Sequence, residues 1–273
     1  MNKEDFFIKN IKSNKIIGDD GAFIDGYVYS MDAFYEDTHF KREWMSLKQI
    51  AKKSFLVNIS DAIVMNSYPK YALISISIPK HYTKSDLVEL ADGFKDVASE
   101  FNIEIIGGDT IKSDKLTISI TIISECKNPI FRKGLKPNQL IAYTGKLGSV
   151  RKELDYLFKY NQISSNSKFI TPILKPKFFY EISPFITCGM DISDGLFFEL
   201  ERLSKINKVG FDFFKPISKS VGCSGEEYEM LICFDKKDRD KILKIAKLHE
   251  VDLTIFGMST HGRFKCICKP HHF

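Results

Sequence analysis

Residues 47–65 read LKQIAKKSFLVNISDAIVM, and their apolar spacing predicts a helix. Along one side, apolar residues recur every four positions: Ala51, Phe55, Ile59 and Ile63. A repeat close to 3.6 residues is typical of a helix that buries one face. Asn58 and Asp61 stand three residues apart, so both side chains can point the same way. The stretch therefore predicts a packed helix that also carries polar side chains in one direction.

Around this helix, strand and helix signals alternate through the first half of the chain. Short apolar runs predict strands at 27–31, 71–78, 103–106 and 116–123, the third of them ending at Gly107-Gly108. A second amphipathic helix is predicted over 83–100, with Leu87, Leu90, Ala91 and Phe94 on one face. The pattern is interrupted near 131–139, where Gly134 and Pro137 occur.

The second half repeats the alternation. It predicts strands at 140–143 and 229–234, and helices after Gly148, after Asp194 and over 239–249. The fold class expected is α+β (mixed α/β), in two halves with a sheet each. We place the domain boundary between residues 135 and 136, which gives domains at 1–135 and 136–273.

Composition narrows the class of protein. The chain has 273 residues, 44% hydrophobic and 27% charged, as soluble two-domain proteins do. No apolar run reaches the ~18–20 residues that a membrane-spanning helix needs. The first ten residues, MNKEDFFIKN, do not read as a secretory signal. We therefore expect a cytoplasmic protein with no membrane partner.

Net charge and cysteines carry little functional signal. The formal charge is +5, but the 40 basic residues, only six of them arginine, are scattered along the chain. Proteins that bind nucleic acid cluster their basic residues, so we expect no nucleic-acid partner. The six cysteines form no CxxC pair, and we interpret them as buried thiols in a reducing cytoplasm.

The acidic residues are more informative, because five short segments place aspartates beside glycine or small polar residues at predicted element ends. The segments are Gly18-Asp19-Asp20-Gly21, Ser30-Met31-Asp32, Asn58-Ile59-Ser60-Asp61, Gly107-Gly108-Asp109-Thr110 and Met190-Asp191-Ile192-Ser193-Asp194-Gly195. Turns and helix caps explain any one of them. Together they predict carboxylates gathered at one sheet edge, where their repulsion requires protonation or a cation.

Magnesium is the cation that this pattern favours. Mg²⁺ prefers oxygen ligands, and almost no histidine or cysteine accompanies the aspartates. The chemistry suggested is phosphoryl transfer, which depends on positioning and on charge neutralisation. The familiar phosphate-binding loop, the Gly-x-Gly-x-x-Gly turn and the protein-kinase catalytic loop are absent from the sequence. An ATP site must therefore be of another design.

Seven segments, in order and spacing, resemble the thiamine-monophosphate kinase family. This family belongs to a superfamily with aminoimidazole ribonucleotide synthetase and selenophosphate synthetase. The five aspartate segments carry the resemblance, together with Arg132 and the run Ser224-Gly225-Glu226-Glu227-Tyr228-Glu229. The segments span residues 18 to 229, most of the chain.

The resemblance implies ATP-dependent transfer of a phosphoryl group to thiamine phosphate, giving thiamine diphosphate and ADP. It implies several Mg²⁺ ions and direct in-line transfer. It also implies a homodimer of two-domain subunits whose N-terminal sheets pair. Residues 1–135 would be the metal-binding, ATP-binding and dimerisation domain, and residues 136–273 a synthetase-like α/β domain.

The same resemblance assigns individual roles. Metal ligands are implied at Asp20, Ser30, Met31 (through its backbone), Asp32, Asp61, Asp109, Asp191 and Asp194. Contacts to ATP are implied at Gly108, Asp109, Arg132 and Ser193. Thiamine phosphate would be held by His39 and Glu226. We expect the most direct catalytic contributions from Asp109, Asp61 and Arg132. The glycine pair at 107–108 would let the backbone approach phosphate, and Arg132 could fork onto phosphate oxygens.

Some positions depart from the family pattern. Glu227 stands where an aspartate is usual, Met31 where a hydroxyl residue is usual, and Ser149 where an acid is common. The ending 269–273 matches loosely, so no aromatic residue is assigned to the thiamine rings. Two alternatives stay open: another enzyme of the superfamily, making selenophosphate or an aminoimidazole ribonucleotide, and a non-catalytic nucleotide-binding homologue. No cysteine precedes Cys126, which counts against selenophosphate synthesis.

Overall fold

The computed structural model describes residues 3–11 and 16–269. The described residues of the first half form three α-helices and five strands, in the order α1 (Lys3–Ile11), β1 (Ala22–Ile24), β2 (Tyr27–Tyr35), α2 (Leu47–Val64), β3 (Tyr68–Pro79), α3 (Lys84–Phe101), β4 (Glu104–Ser113) and β5 (Thr117–Glu125). A short 3₁₀ helix, Arg42–Trp44, precedes α2. The five strands form one sheet in the order β1-β2-β5-β3-β4, in which only β3 and β4 are parallel.

The second half, as far as residue 269, contains five α-helices and five strands. Their order is β6 (Leu140–Thr144), α4 (Ser149–Tyr160), α5 (Pro176–Ile182), β7 (Ile186–Ile192), α6 (Leu196–Asn207), β8 (Val209–Phe213), α7 (Lys219–Gly222), β9 (Glu229–Phe234), α8 (Arg239–Leu248) and β10 (Leu253–His261). Two further 3₁₀ helices are Ser183–Phe185 and Lys236–Asp238. The strands form an antiparallel sheet in the order β7-β9-β6-β10-β8. The predicted mixed α/β class is confirmed.

Helix α2 joins the two halves. Its start is fixed by a capping box, in which Ser46 Oγ accepts from the Gln49 N–H at 3.1 Å and Gln49 Oε1 accepts from the Ser46 N–H at 2.9 Å. One hydrophobic core cluster contains Ile59 of α2, Phe178 of α5 and Ile232 of β9. Because α2 is buried on nearly every side, its polar residues must find partners within the protein.

Two strand predictions were wrong. Strand β2 continues beyond residue 31 to Tyr35, and β4 passes through Gly107-Gly108 to Ser113 instead of ending there. The reason is that β4 stays paired with β3 through the glycines, with Gly108 opposite Ile74. A Cβ on Gly108, whose φ is +147°, would lie 1.8 Å from the Ile74 carbonyl oxygen, so close strand packing alone requires this glycine.

In the described part of the chain, no helix is long and apolar enough to cross a membrane. The predicted domain boundary, between residues 135 and 136, falls in the connection between β5 and β6. Residues 270–273, which hold the end of the family pattern, lie outside the described residues.

Candidate active site

A cavity of about 760 Å³, here called the carboxylate cleft, gathers acidic side chains from both halves of the chain. Its acidic lining residues are Asp19, Asp20, Asp32, Asp61, Asp191, Asp194 and Glu226. Carboxylate oxygens of Asp20, Asp61 and Asp191 all lie within 4.8 Å of one another. The expected clustering of carboxylates therefore brings these three residues together at one point.

Helix α2 positions these acids through its own polar residues. Asn58 Oδ1 accepts from the backbone N–H of Asp32 on β2 at 2.7 Å. Ser60 Oγ donates to Asp191 Oδ2 on β7 at 2.9 Å. The helix therefore holds a strand of each sheet beside its own Asp61.

Burial makes the cluster electrostatically costly. It raises the pKa of Asp61 and of Asp191 well above the ordinary value, and neighbouring carboxylates raise both further. The pKa of Asp32 is raised to about 6 by burial and then by the negative charge of Glu226. Among the described residues, no lysine or arginine forms an ion pair with Asp32, Asp61 or Asp191, whereas Asp20 pairs with Arg132. These buried carboxylates offer only oxygen atoms as ligands, and oxygen is the ligand that a hard divalent ion such as Mg²⁺ prefers. A bound divalent ion would also offset the repulsion between the carboxylates.

Arg132 lies in the cleft, but its guanidinium is engaged by Asp20. Arg132 Nη2 lies 2.5 Å from Asp20 Oδ1, and Nε lies 3.2 Å from Oδ2, so the pair is bidentate. The Arg132 backbone N–H also donates to Asp19 Oδ1 at 2.9 Å. A cation on Asp20 would compete with this contact and leave the guanidinium available to phosphate oxygens.

Asp194 and Ser193 line the cleft just after β7. Asp194 is not one of the three residues whose oxygens meet within 4.8 Å. Its carboxylate pairs with Arg202 at 2.5 Å, and Arg202 also pairs with Glu199 at 2.7 Å. Burial raises the pKa of Glu199 to about 7. Asp194 is therefore held by α6 at the edge of the cluster.

Ser30 and Met31 project to opposite faces of β2. Ser30 is buried and its hydroxyl donates to the Asn58 carbonyl at 3.4 Å, whereas the Met31 side chain is 65% exposed. Met31 lines the cleft, but Ser30 is not among its lining residues. Asp32 faces the same side as Ser30, as residues two apart on a strand do.

Gly108 and Asp109 do not reach the cleft within this chain. Asp109 lies on β4, beside Ser75 of β3, and its side chain is exposed. Strands β5 and β3 separate β4 from β2, so Asp109 and Asp32 are roughly 15 Å apart across three strand spacings. The two residues cannot hold one metal ion in a single subunit.

Comparison with known proteins identifies the family. The model of the AIR synthase related protein, N-terminal domain, matches residues 18–126. The thiamine-monophosphate kinase of Buchnera aphidicola subsp. Schizaphis graminum is 30% identical over 278 residues, which cover 90% of this chain and 84% of that protein. The thiamine-monophosphate kinase of Bacillus subtilis is 30% identical over 220 residues, 74% of this chain and 67% of that protein. The chain belongs to the thiamine-monophosphate kinase family.

Solved structures agree on the fold. AaThiL complexed with AMPPCP and TMP matches 99% of this chain and 96% of that chain, with a TM-score of 0.86 and 23% identity. The HypE–HypF complex matches 98% of this chain and 99% of that chain, with a TM-score of 0.78 and 18% identity. At these identities the likeness establishes the shared fold. The resemblance read from the sequence is confirmed, and the protein is a kinase.

The run that begins Ser224-Gly225-Glu226 forms a tight loop against the end of β7. Glu226 donates its backbone N–H to the Ser193 carbonyl at 2.6 Å, and Tyr228 donates to Ile192 at 2.9 Å. Both loop residues have left-handed backbones, with φ of 59° at Glu226 and 48° at Tyr228. Such strain in non-glycine residues persists only where the surroundings impose it. It directs Glu226 toward the cleft.

Glu227, one of the departures from the family pattern, has a structural role. Its buried carboxylate accepts from the backbone N–H groups of Gly148 at 2.7 Å and Val150 at 3.3 Å, at the start of α4. It also pairs with Lys168 at 2.8 Å. A carboxylate at a helix N-terminus accepts hydrogen bonds from N–H groups that have no partner within the helix, and its negative charge interacts favourably with the helix dipole. The longer side chain therefore caps α4, whose first residue is Ser149, another departure.

Lys53 was missed by sequence reasoning. It lies on α2 with no exposed surface, and its Nζ is 2.7 Å from Glu226 Oε2 and 3.5 Å from the Phe169 ring centroid. Neither charged atom of the pair has a well-directed hydrogen bond. The only sequence signal is a lysine among the apolar residues of 47–65, and the same signal is given by Lys52, which is half-buried and pairs with Asp96 at 3.2 Å.

A second cavity, of about 540 Å³, adjoins the carboxylate cleft. We call it the aromatic pocket; its walls include Trp44, Phe158, Phe169, Asp37 and Asp155. Both cavities are lined by His39, Ser193, Asp194 and Glu226, so they meet along these residues. His39 stacks on Phe34 at 5.4 Å, and its Nδ1 accepts from the Tyr35 N–H at 3.0 Å. The predicted substrate residues, His39 and Glu226, therefore lie at the junction of the two cavities.

The interpretation of all six cysteines as thiols was wrong for two of them. Cys223 and Cys268 form a disulfide, which ties the segment after β10 to the loop before Glu226. Cys126, Cys188, Cys233 and Cys266 are thiols. The two bonded residues are 45 positions apart, and such a pairing leaves no spacing signal in the sequence.

Proposed function

We propose that this protein transfers the γ-phosphoryl group of ATP to thiamine phosphate, giving thiamine diphosphate and ADP. One observation carries the proposal: a cleft of buried carboxylates, suited to metal-bound polyphosphate, opens directly into a pocket with aromatic walls. A substrate that joins an aromatic ring system to a phosphate fits across that junction. The names of the relatives at 30% identity support the same reaction.

Asp20, Asp61 and Asp191 are the residues that we propose hold Mg²⁺, with Asp32 and Asp194 beside them. Bound Mg²⁺ would neutralise the cluster and the charge on the phosphates. The chain's own contribution is to hold these acids in place through Asn58, Ser60 and Arg202. The raised pKa values of the buried acids support a site that is incomplete without cations.

In the transfer, an oxygen of the thiamine phosphate forms a bond to the γ-phosphorus while the bond to the ADP oxygen breaks. No covalent enzyme intermediate is needed, because positioning and charge neutralisation dominate this chemistry. His39 and Glu226 would hold the acceptor at the junction. Arg132 would bind phosphate oxygens once Asp20 takes a metal ion, and Ser193 would contact the nucleotide.

A homodimer accounts for Gly108 and Asp109. Strand β4 is the exposed edge of its sheet, and Ile105, Ile106 and Ile111 on it are 39%, 49% and 57% exposed. An exposed apolar edge strand is a surface that natural proteins cover. We propose that a second copy covers it, and that each subunit's β4 brings Gly108 and Asp109 to the other subunit's ATP. Asp109→Asn would then remove turnover with little effect on the fold.

The division into domains at 1–135 and 136–273 and a cytoplasmic location remain predictions. For the division, the supporting observation is that each half forms its own five-stranded sheet. Limited proteolysis with mass spectrometry would locate cleavage between β5 and β6 if the halves are separate units.

The reaction is tested by ADP release from ATP and Mg²⁺ in three parallel arms: thiamine phosphate, thiamine, and no acceptor. We expect ADP only with thiamine phosphate, and none when EDTA removes Mg²⁺. Equal ADP release in all three arms would refute the acceptor assignment. Consumption of ATP with selenide or a formylglycinamidine ribonucleotide, but with neither thiamine phosphate nor thiamine, would favour the other enzymes of the superfamily.

A further inference from the structure

Lys53 carries a buried charge to which the proposed reaction gives no role. Its side chain has no exposed surface, and its Nζ lies 5.6 Å from the Phe34 ring centroid and 3.5 Å from that of Phe169. Burying an ammonium group costs free energy, and apolar residues of similar volume often replace a buried ion pair without loss of stability. Stability alone therefore does not account for a lysine at this position.

The Lys53 ammonium reaches one carboxylate of the candidate site. Its Nζ lies 2.7 Å from Glu226 Oε2, while the Tyr228 hydroxyl donates to Glu226 Oε1 at 3.3 Å. Each carboxylate oxygen of Glu226 thus has a neighbour that fixes its direction. Glu226 lines both the carboxylate cleft and the aromatic pocket, and its side chain is 22% exposed. Without the ammonium, the carboxylate would gain solvation by turning into either cavity, because a charged group is more stable in water than in the protein interior.

Helix α2 supplies this ammonium from the side that also holds an aspartate of the second half. Lys53 and Ser60 are seven residues apart, close to two helical turns, so both project from one side of α2. Ser60 Oγ donates to Asp191 Oδ2 at 2.9 Å. One side of a single helix therefore contacts Asp191 on β7 and Glu226 in the loop before β9.

We propose that Lys53 is a positioning residue for the acceptor substrate, because it holds the Glu226 carboxylate at the junction of the two cavities. This inference rests on the proposed function, in which Glu226 helps to hold thiamine phosphate. Lys53 acts only through Glu226, since its side chain is fully buried and lines neither cavity. Loss of the ammonium therefore weakens the binding of thiamine phosphate and leaves the binding of ATP unchanged.

Steady-state kinetics of four forms test this role: the wild type, Lys53→Met, Glu226→Gln and the double variant. We expect Lys53→Met to raise the KM for thiamine phosphate about tenfold, the lower end of the effect of losing a hydrogen bond to a charged group. Glu226→Gln should raise this KM at least as much. In the Glu226→Gln background, Lys53→Met should change it less than about twofold, because a residue that acts only through another has no further effect once that partner is replaced.

The KM for ATP separates this role from a structural one. We expect it to stay unchanged in Lys53→Met, whereas a role in stability alone would lower the active fraction, and with it kcat, and leave both KM values unchanged. Lys52→Met is the matched control. Lys52 is the adjacent lysine on α2, it pairs with Asp96 of α3 at 3.2 Å, and neither residue lines a cavity of the site. Its replacement should leave both KM values as in the wild type.

Three results would overturn the role of Lys53 while the proposed function stands. They are an unchanged KM for thiamine phosphate in Lys53→Met, an equal rise in Lys52→Met, and additive effects in the double variant. Glu226→Gln changes a partly exposed side chain, so an unchanged KM in that variant overturns the role of Lys53 even if Lys53→Met fails to fold. A wild type that releases no ADP with thiamine phosphate overturns the proposed function instead.

Discussion

Lys53→Met tests how far the stability of the protein depends on the buried ion pair between Lys53 and Glu226. The methionine keeps the apolar stem of the lysine and removes the charge that lies 2.7 Å from Glu226 Oε2. Removing one member of a buried pair costs about 3–5 kcal/mol when the other charge stays uncompensated. The Glu226 side chain is 22% exposed, and the methionine has no desolvation cost, so we expect a smaller loss of about 1–3 kcal/mol. For a protein of this size that is a fall in Tm of about 2–6 °C.

The double variant Lys53→Met/Glu226→Gln separates this explanation from simple loss of packing. Burial lowers the pKa of Lys53 in spite of Glu226, so the pair as a whole is not a net source of stability. Replacing both charges should therefore recover the Tm of the wild type, measured by thermal melts in one buffer. Wild-type stability in the single variant, or an additive loss in the double variant, would refute the reasoning.

Three further predictions concern the metal cluster, the dimer and the disulfide. In EDTA, the Tm should fall as pH rises from about 4 through 6, because the raised pKa values of Asp19 and Asp32, both about 6, make the protonated forms stabilising only at low pH. Mg²⁺ should reverse that fall, and Asp61→Asn should raise the Tm in EDTA while abolishing turnover; a flat pH profile without metal would contradict this. Ile111→Asp should convert a dimer to a monomer in analytical ultracentrifugation and reduce turnover; an active monomer would contradict shared sites. Cys223→Ser should lower stability by up to about 4 kcal/mol under non-reducing conditions, the entropy of closing a loop of this length, and not at all in reductant; equal loss in both conditions would contradict the disulfide.

Local patterns were sufficient for most elements of the fold. The helix predicted over 47–65 is found at Leu47–Val64, because its apolar repeat and the Ser46 capping box both act within a few residues. The strand predicted over 103–106 ends too early because glycine usually weakens a strand. In the structure, Gly108 is the residue that allows close pairing with Ile74. Local propensity could not reveal a contact made by another strand.

Part of the candidate site could also be predicted from the sequence, and part could not. The clustering of Asp20, Asp61 and Asp191 could be predicted, because each adjoins an apolar run in the sequence. The same argument included Asp109, which lies instead on the edge strand β4. The aromatic pocket could not be predicted, since Trp44 and Phe158 meet only after the two sheets pack. Lys53 is indistinguishable in sequence from the half-buried Lys52, and only its burial against Phe169 reveals it.

The most direct test of the central claim is a product measurement. Purified protein, ATP, Mg²⁺ and thiamine phosphate are incubated, and thiamine diphosphate and ADP are quantified together by mass spectrometry. We expect equal amounts of the two products from the wild type and neither product from Asp61→Asn. ADP without thiamine diphosphate, or transfer to thiamine in preference to thiamine phosphate, would contradict it.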